Sequence, residues 1–189
     1  AMALFDYMKP ENHESFYLET VFVGPMERIC MEWGVCQYVP IHLGETADYC
    51  HASNLNIAVA RVTPPDENGF MCRSNFASFL DLETIRNADY VIVEVNEHMP
   101  RLNAPEFKIH VSEIDKIIEN HEPIFEIPNI PISDAEQIMA DYIADMIPDG
   151  STIQLGFGGL PNAIGYNLKS KKNLSIYSEV ATPAMKDLI

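Results

Sequence analysis

The chain has 189 residues and a net charge of −16, from 28 acidic and 12 basic side chains. This length fits one larger domain or two small ones, and 47% apolar residues allow a hydrophobic core and argue against disorder. The acidic balance argues against nucleic acid and anionic membranes as partners, because both require basic patches. We find no apolar run long enough to span a bilayer and no signal-peptide pattern at the start.

The four cysteines show no C-x-x-C spacing that would indicate a metal site or a redox motif; they are Cys30, Cys36, Cys50 and Cys72. We expect reduced, mostly buried thiols and therefore a cytoplasmic protein. Adjacent Cys50 and His51 could contribute to a metal site, but no second pair accompanies them and the histidines are scattered. We therefore expect no metal and no tightly bound cofactor.

The first part of the chain alternates helical and strand patterns after an opening stretch, residues 1–20, with no evident element. Pro25 and Gly34 bracket a predicted helix, and the β-branched run over 90–95 is typical of a strand buried on both faces. The other predictions are an extended run over 35–40, a loop over 41–45, a strand over 56–62, a turn over 63–69, a helix over 76–88, a strand over 109–111 and a helical turn or two over 112–120.

Three prolines within nine positions, at 123, 128 and 131, predict a break in regular structure. We place a linker at residues 128–132, between a first domain at 1–127 and a second at 133–189. Ser133 and Glu136 form a capping-box pattern for a helix that runs to about residue 147. A strand, a glycine-rich turn, a helix and another strand follow. Such alternation favours an α/β fold with largely parallel sheets in both domains.

The glycine turn Gly156-Phe-Gly-Gly-Leu-Pro161 follows one strand pattern, and Glu179 follows the next. Bare backbone N–H groups at a helix N-terminus can stabilise an anion or a developing oxyanion. A carboxylate at the end of a strand can act as a nucleophile or a general base. The turn could equally be a tight connection without a ligand, and Glu179 an ordinary exposed side chain. The turn also lacks the lysine of a phosphate-binding loop.

Other candidates have structural alternatives, which we favour. Asp66 and Glu67 could form an acid–base pair, or they could be solvated acids in a rigid Pro-Pro turn. His42 and His98 could line a cleft, or lie in surface loops.

Five segments in order resemble the acetyl-CoA hydrolase/transferase family, which includes 4-hydroxybutyrate, butyrate and acetate CoA-transferases. They are Tyr38-Val-Pro-Ile-His-Leu43, Thr63-Pro-Pro-Asp-Glu-Asn-Gly-Phe70, Val95-Asn-Glu-His-Met-Pro-Arg101, Ile109-His-Val-Ser-Glu-Ile-Asp115, and the glycine turn together with Leu174-Ser-Ile-Tyr-Ser-Glu-Val180. The resemblance implies two CoA-transferase-type α/β domains. Since family members are longer than this chain, it also implies that both domains are incomplete here.

The resemblance implies transfer of coenzyme A between an acyl-CoA and a small carboxylate, with CoA as substrate and Glu179 as the nucleophile that becomes a glutamyl-CoA thioester. It implies an oxyanion and CoA-binding loop at Gly156, Phe157, Gly158, Gly159 and Leu160. It makes His42, Asn96, Met99 and Arg101 candidates for the substrate pocket. Thioester hydrolysis and a silent fragment that serves in assembly remain alternatives. We expect a homo-oligomer, or association with the remainder of the protein.

Two segments depart from the family pattern. Leu102-Asn-Ala-Pro-Glu-Phe107 replaces a Gly-Asp-Ser-like turn, and Ala181-Thr-Pro-Ala-Met185 follows the glutamate in place of Ser-Asp-Gly. Both segments lie near the implied acyl pocket, so the sequence leaves the acyl group and the acceptor open.

Overall fold

The computed structural model describes residues 5–73, 82–124, 126, 129 and 131–188. The chain forms two compact units, Ala1–Phe125 and Glu126–Ile189. The sheets are mostly parallel with helices between their strands, so the predicted α/β class is confirmed.

The centre of the first unit is a three-stranded parallel sheet in the order β3-β5-β7. Its strands are β3 (Ile57–Val62), β5 (Tyr90–Val95) and β7 (Lys116–Glu119). Alternate residues of β3 and β5 enter one core together with Ile85 of helix α3 (Leu82–Asn87). On the opposite face, Ile57 and Val59 of β3 are more than half exposed and Tyr90 of β5 is 50% exposed. The prediction that residues 90–95 are buried on both faces is therefore wrong, because only one face of the strand is fully covered.

Smaller elements surround this sheet. Strand β1 (Leu18–Thr20) pairs in parallel with β2 (Cys36–Tyr38) across helix α1 (Pro25–Glu32), and α2 (Thr46–Ala52) precedes β3. Strands β4 (Phe70–Cys72) and β6 (Lys108–His110) form an antiparallel pair. The predicted helix α1, strands β2, β3, β5 and β6, and the turn after β3 are confirmed.

Several strands of the first unit differ from the prediction because they form only by pairing with segments that are distant in the sequence. Residues 116–119 are a strand rather than a helix, because they pair with β5. Strand β1 lies in the stretch expected to be irregular, and β4 exists only through its bonds to β6. Helix α2 was also missed. Of the helix predicted over 76–88, the part before residue 82 lies outside the described residues, and α3 confirms the remainder.

The second unit contains α4 (Asp134–Met146), β8 (Thr152–Ile153), α5 (Gly159–Asn167), β9 (Ser175–Ile176) and α6 (Pro183–Lys186). The predicted capping box is confirmed. The Glu136 N–H donates to Ser133 Oγ at 3.3 Å, and the Glu136 carboxylate accepts from the Ser133 N–H at 2.8 Å. Strands β8 and β9 are parallel, and Ile153, Leu155, Leu168 and Met185 are buried together. Helix α6 was not predicted.

Gly165 lets α5 approach its neighbours closely. A Cβ at this position would lie 2.6 Å from the Ala184 Cβ and 2.9 Å from Leu155 Cδ1. The Ala184 Cβ is attached directly to the backbone and cannot rotate away, so the packing of α5 against α6 requires glycine here.

We expect Gly165→Ala to lower the free energy of unfolding of the second unit by about 1–3 kcal/mol, the usual cost of overpacking a core. Thermal unfolding followed by circular dichroism measures the loss. Gly156→Ala is the matched control, because its Cβ would meet only Pro161 Cγ at 3.8 Å. Equal melting temperatures for the two variants would contradict the packing argument.

Candidate active site

The glycine loop follows β8 and the Glu179 segment follows β9, and these two strands are neighbours. Strands β8 and β9 pair Ile153 with Ile176, and the Tyr177 N–H continues the ladder by donating to the Ile153 carbonyl at 3.0 Å. One step further, Ser178 Oγ donates to the Leu155 carbonyl at 3.0 Å. Gly156 follows Leu155 directly, and Glu179 follows Ser178. The fold therefore brings the two sequence features to one edge of the strand pair.

The glycine loop turns into α5 at Gly158, which has φ 137° and ψ 178° and serves as the N-cap. A residue with a side chain rarely adopts this φ. Gly159 is buried, whereas Gly156 and Phe157 are exposed. The loop presents the amides of residues 156–160 at a helix N-terminus, where negative charge is stabilised. The series of amides ends there because Pro161 has no N–H.

The Glu136 carboxylate, at the start of α4, lies against the start of α5. Its oxygens and its carboxyl carbon are the nearest atoms to a Cβ built on Gly159. The backbone N–H and hydroxyl of Ser133 donate to this carboxylate, at 2.8 and 2.7 Å. These Ser133 bonds, with a further contribution from Leu160, lower the pKa of Glu136 below its usual value. An anionic side chain thus lies beside the predicted oxyanion loop.

Glu179 lies in a bend after β9 and is exposed. Within the described ranges, its carboxylate has no hydrogen-bond or ion-pair partner, while the half-buried Ser178 beside it is fixed to Leu155. The segment is therefore anchored one residue before the carboxylate, and the carboxylate itself is open to solvent.

Asn96 and Met99 form a tight turn after β5 and are buried, Asn96 completely. The Asn96 side chain donates to the Glu122 carbonyl at 2.7 Å and accepts from the His98 N–H at 2.8 Å. The Met99 N–H donates to the Asn96 carbonyl at 3.2 Å. These contacts give both residues a structural role at the carboxyl end of β5, while His98 is exposed.

Arg101 extends from this turn to the β3–β4 connection. Its guanidinium donates to the carbonyls of Pro64 and Phe70 and lies 3.6 Å from an Asp66 carboxylate oxygen. Asp66 in turn accepts from the N–H groups of Asn68 and Phe70, at 3.0 and 2.9 Å. The bond from Phe70 is the largest influence that lowers the pKa of Asp66. Asp66 is therefore the capping acid of a rigid turn, as the structural alternative proposed.

His42 is exposed and precedes a 3-10 turn over Leu43–Glu45, where its N–H donates to the Glu45 carboxylate at 3.1 Å. The four pocket candidates lie in the first unit, and the glycine loop and Glu179 lie in the second. Among the described residues, no group of three or more His, Cys, Asp or Glu side chains could hold a metal, and no helix is long and apolar enough to cross a membrane.

The Asp66 turn makes the stability of the first unit depend on pH. The folded state lowers the pKa of Asp66, whereas the unfolded value is about 3.9. Its contribution is therefore present above that value and is lost as the pH falls through the lower folded pKa. We expect the unfolding free energy to decline from about pH 5 to about pH 3. Urea unfolding followed by Trp33 fluorescence measures this decline in the first unit.

Asp66→Asn is the matched variant, because an amide oxygen can still accept from both N–H groups but carries no charge. We expect its stability to vary less with pH over the same range. Parallel pH curves for the two proteins would contradict the role assigned to the Asp66 charge.

Comparison with known proteins identifies the family of the chain. Residues 3–128 match the acetyl-CoA hydrolase/transferase N-terminal domain. The chain is 33% identical to 4-hydroxybutyrate coenzyme A transferase of Clostridium kluyveri over 100% of its own length and 44% of that protein. It is 35% identical to butyryl-CoA:acetate CoA-transferase of Anaerostipes caccae, over 95% of this chain and 41% of the relative.

Among solved structures, RipA from Yersinia pestis superposes with a TM-score of 0.88 at 30% identity, covering 96% of this chain and 44% of that one. The chain therefore belongs to the acetyl-CoA hydrolase/transferase family. It spans less than half the length of the relatives it matches.

Proposed function

We propose that this chain carries the nucleophile and the oxyanion loop of a CoA-transferase that moves coenzyme A between an acyl-CoA and a small carboxylate of the acetate, butyrate or 4-hydroxybutyrate type. The observation that carries the proposal is the placement of Glu179 beside the glycine loop, at the ends of β8 and β9. The relatives named for this activity support the choice of reaction.

In the proposed first step, a Glu179 carboxylate oxygen attacks the thioester carbonyl. A C–O bond forms, the C–S bond breaks, and CoA leaves as a thiolate, which gives an acyl–glutamyl anhydride. The thiolate then attacks the glutamyl carbonyl and releases the first acid as a carboxylate, leaving a glutamyl-CoA thioester. The second carboxylate takes the CoA by the reverse steps. Every nucleophile and leaving group is an anion, so no net proton transfer is needed.

Each addition passes through a tetrahedral oxyanion, which needs preorganised donors. We assign these donors to the amides of the loop Gly156, Phe157, Gly158, Gly159 and Leu160, and within it to Gly158 and Gly159 first, because these two residues form the turn into α5. The site is built on backbone groups, as suits an acidic chain that must bind an anionic substrate.

The pocket residues and the wider assembly complete the proposal. Asn96, Met99 and Arg101 would shape the acyl pocket through the turns they hold, and the exposed His42 would line it. Residues 1–127 and 133–189 would be parts of two CoA-transferase domains joined at 128–132. The partners would be an acyl-CoA, a small carboxylate, and either further copies of the chain or the remainder of the protein.

The direct test is capture of the intermediate on the protein at its natural length. After incubation with acyl-CoA, we expect mass spectrometry to find CoA attached at Glu179, and borohydride to convert that side chain to an alcohol. Glu179→Gln should lower the transfer rate at least about a thousandfold, because an amide cannot act as the nucleophile.

Glu32→Gln, at an exposed position of α1, is the control and should retain activity. Adduct formation at another residue, or full activity of Glu179→Gln, would refute the assignment. CoA release that does not depend on an acceptor carboxylate would instead identify a thioester hydrolase.

Ser178 gives a second, graded prediction. Ser178→Ala removes the hydroxyl that anchors the segment to Leu155, so we expect kcat to fall about tenfold, the value of one hydrogen bond, with little change in KM. Steady-state kinetics should show partial recovery in Ser178→Thr, which keeps a hydroxyl. Ser175→Ala, an exposed position of β9, is the control. Unchanged kcat in Ser178→Ala would remove the anchoring role.

A further inference from the structure

The Glu136 carboxylate divides its two oxygens between two helices. Oε2 accepts from the N–H and the hydroxyl of Ser133, which caps α4. Oε1 faces the start of α5 and would lie 2.5 Å from a Cβ built on Gly159. Oε1 therefore packs against the first residue of α5, while Oε2 stays bonded to Ser133. One carboxylate thus contacts the first turns of both helices.

Gly159 is the counterpart of this contact. All three nearest atoms to a Cβ at this position belong to the Glu136 carboxyl group, at 2.5, 3.0 and 3.1 Å. The φ of Gly159 is not in the left-handed region, so backbone conformation does not require glycine here. A side chain at this position would instead have to displace the Glu136 carboxylate, which Ser133 holds in place.

A second set of bonds holds the same two helices further along. The Gln137 amide N–H group donates to Asn167 Oδ1 at 3.1 Å, and the Asn167 side chain donates to Asp141 Oδ1 at 2.6 Å. The carboxylate bridge and this network fix α5 to α4 at both of its ends. The orientation of the glycine loop is consequently set by α4.

We propose that Glu136 is a positioning residue for the candidate active site, and that its bridging carboxylate fixes which loop amides face the reacting carbonyl. The inference rests on the function proposed above. By packing against Gly159 in the first turn of α5, Glu136 fixes the orientation of the amides of Gly158 and Gly159. It acts through the loop and does not touch the substrate.

The test compares variants that separate the α4 cap from the contact with α5. Glu136→Ala removes the carboxylate from both helices, whereas Ser133→Ala weakens only the α4 cap and leaves the carboxylate against Gly159. In the protein at its natural length, we expect Glu136→Ala to lower kcat at least about tenfold with KM for acyl-CoA little changed. Ser133→Ala should keep a kcat close to wild type, even where the two variants lose similar melting temperature.

Hydrogen exchange of the peptide spanning residues 156–162 gives a readout that needs no substrate. Glu136→Ala should speed amide exchange in this peptide about tenfold or more, and Ser133→Ala should not. Glu136→Gln keeps the length of the side chain, and Glu136→Asp keeps its charge. Across these two variants and Glu136→Ala, the order of kcat should follow the order of amide protection.

The results separate the two proposals. Unchanged exchange in Glu136→Ala would overturn the bridging role, even with Glu179 established as the nucleophile. Equal losses of kcat in Glu136→Ala and Ser133→Ala would reduce Glu136 to a helix cap and overturn the positioning role. If Glu179 carries no adduct, the exchange experiment still decides whether Glu136 holds the loop.

Discussion

The candidate site depends on the parallel pairing of β8 and β9, a contact of only two residues from each strand. Parallel strands deliver their carboxyl ends to the same edge, which is where α/β proteins gather functional groups. A ladder this short gives little stability alone, so two further bonds extend it: the Tyr177 N–H to Ile153 and the Ser178 hydroxyl to Leu155. The second bond comes from the Ser178 side chain, so the position of Glu179 depends on which residue occupies position 178.

Charge makes the geometry of this edge more demanding. A chain with a net charge of −16 repels an anionic thioester at long range, so binding must come from donors at short range. The N-terminus of α5 supplies such donors, but Glu136 already places an anion there. The helix end therefore offers less positive potential than an uncapped one. What the loop gains is a fixed orientation, and preorganised donors stabilise a transition state without reorganising as charge develops.

The elements predicted correctly from sequence carry their own local signals. Helix α1 has Pro25 in its first turn, α4 has the Ser133–Glu136 box, and β5 is a run of β-branched residues. The failures share dependence on distant partners: residues 116–119 look helical until β5 pairs with them. The site behaves in the same way. Order along the chain predicted that the glycine loop and Glu179 belong together, but no local pattern reveals that the Glu136 carboxylate reaches Gly159 or that Arg101 bonds to the carbonyls of the β3–β4 turn.

The three glycines of the loop differ in what favours glycine at each position. Gly158 has a backbone conformation that other residues rarely adopt, with φ at 137°, and a side chain at Gly159 would displace the Glu136 carboxylate. Gly156 has neither reason: its φ is not in the left-handed region, and an added Cβ would make only an ordinary contact with Pro161. The fold tolerates a side chain at this exposed position. Gly156 directly follows Leu155, whose carbonyl accepts the hydrogen bond from Ser178 next to Glu179. Packing therefore does not explain the absence of a side chain at Gly156. Close approach of a thioester to the backbone at this position would explain it.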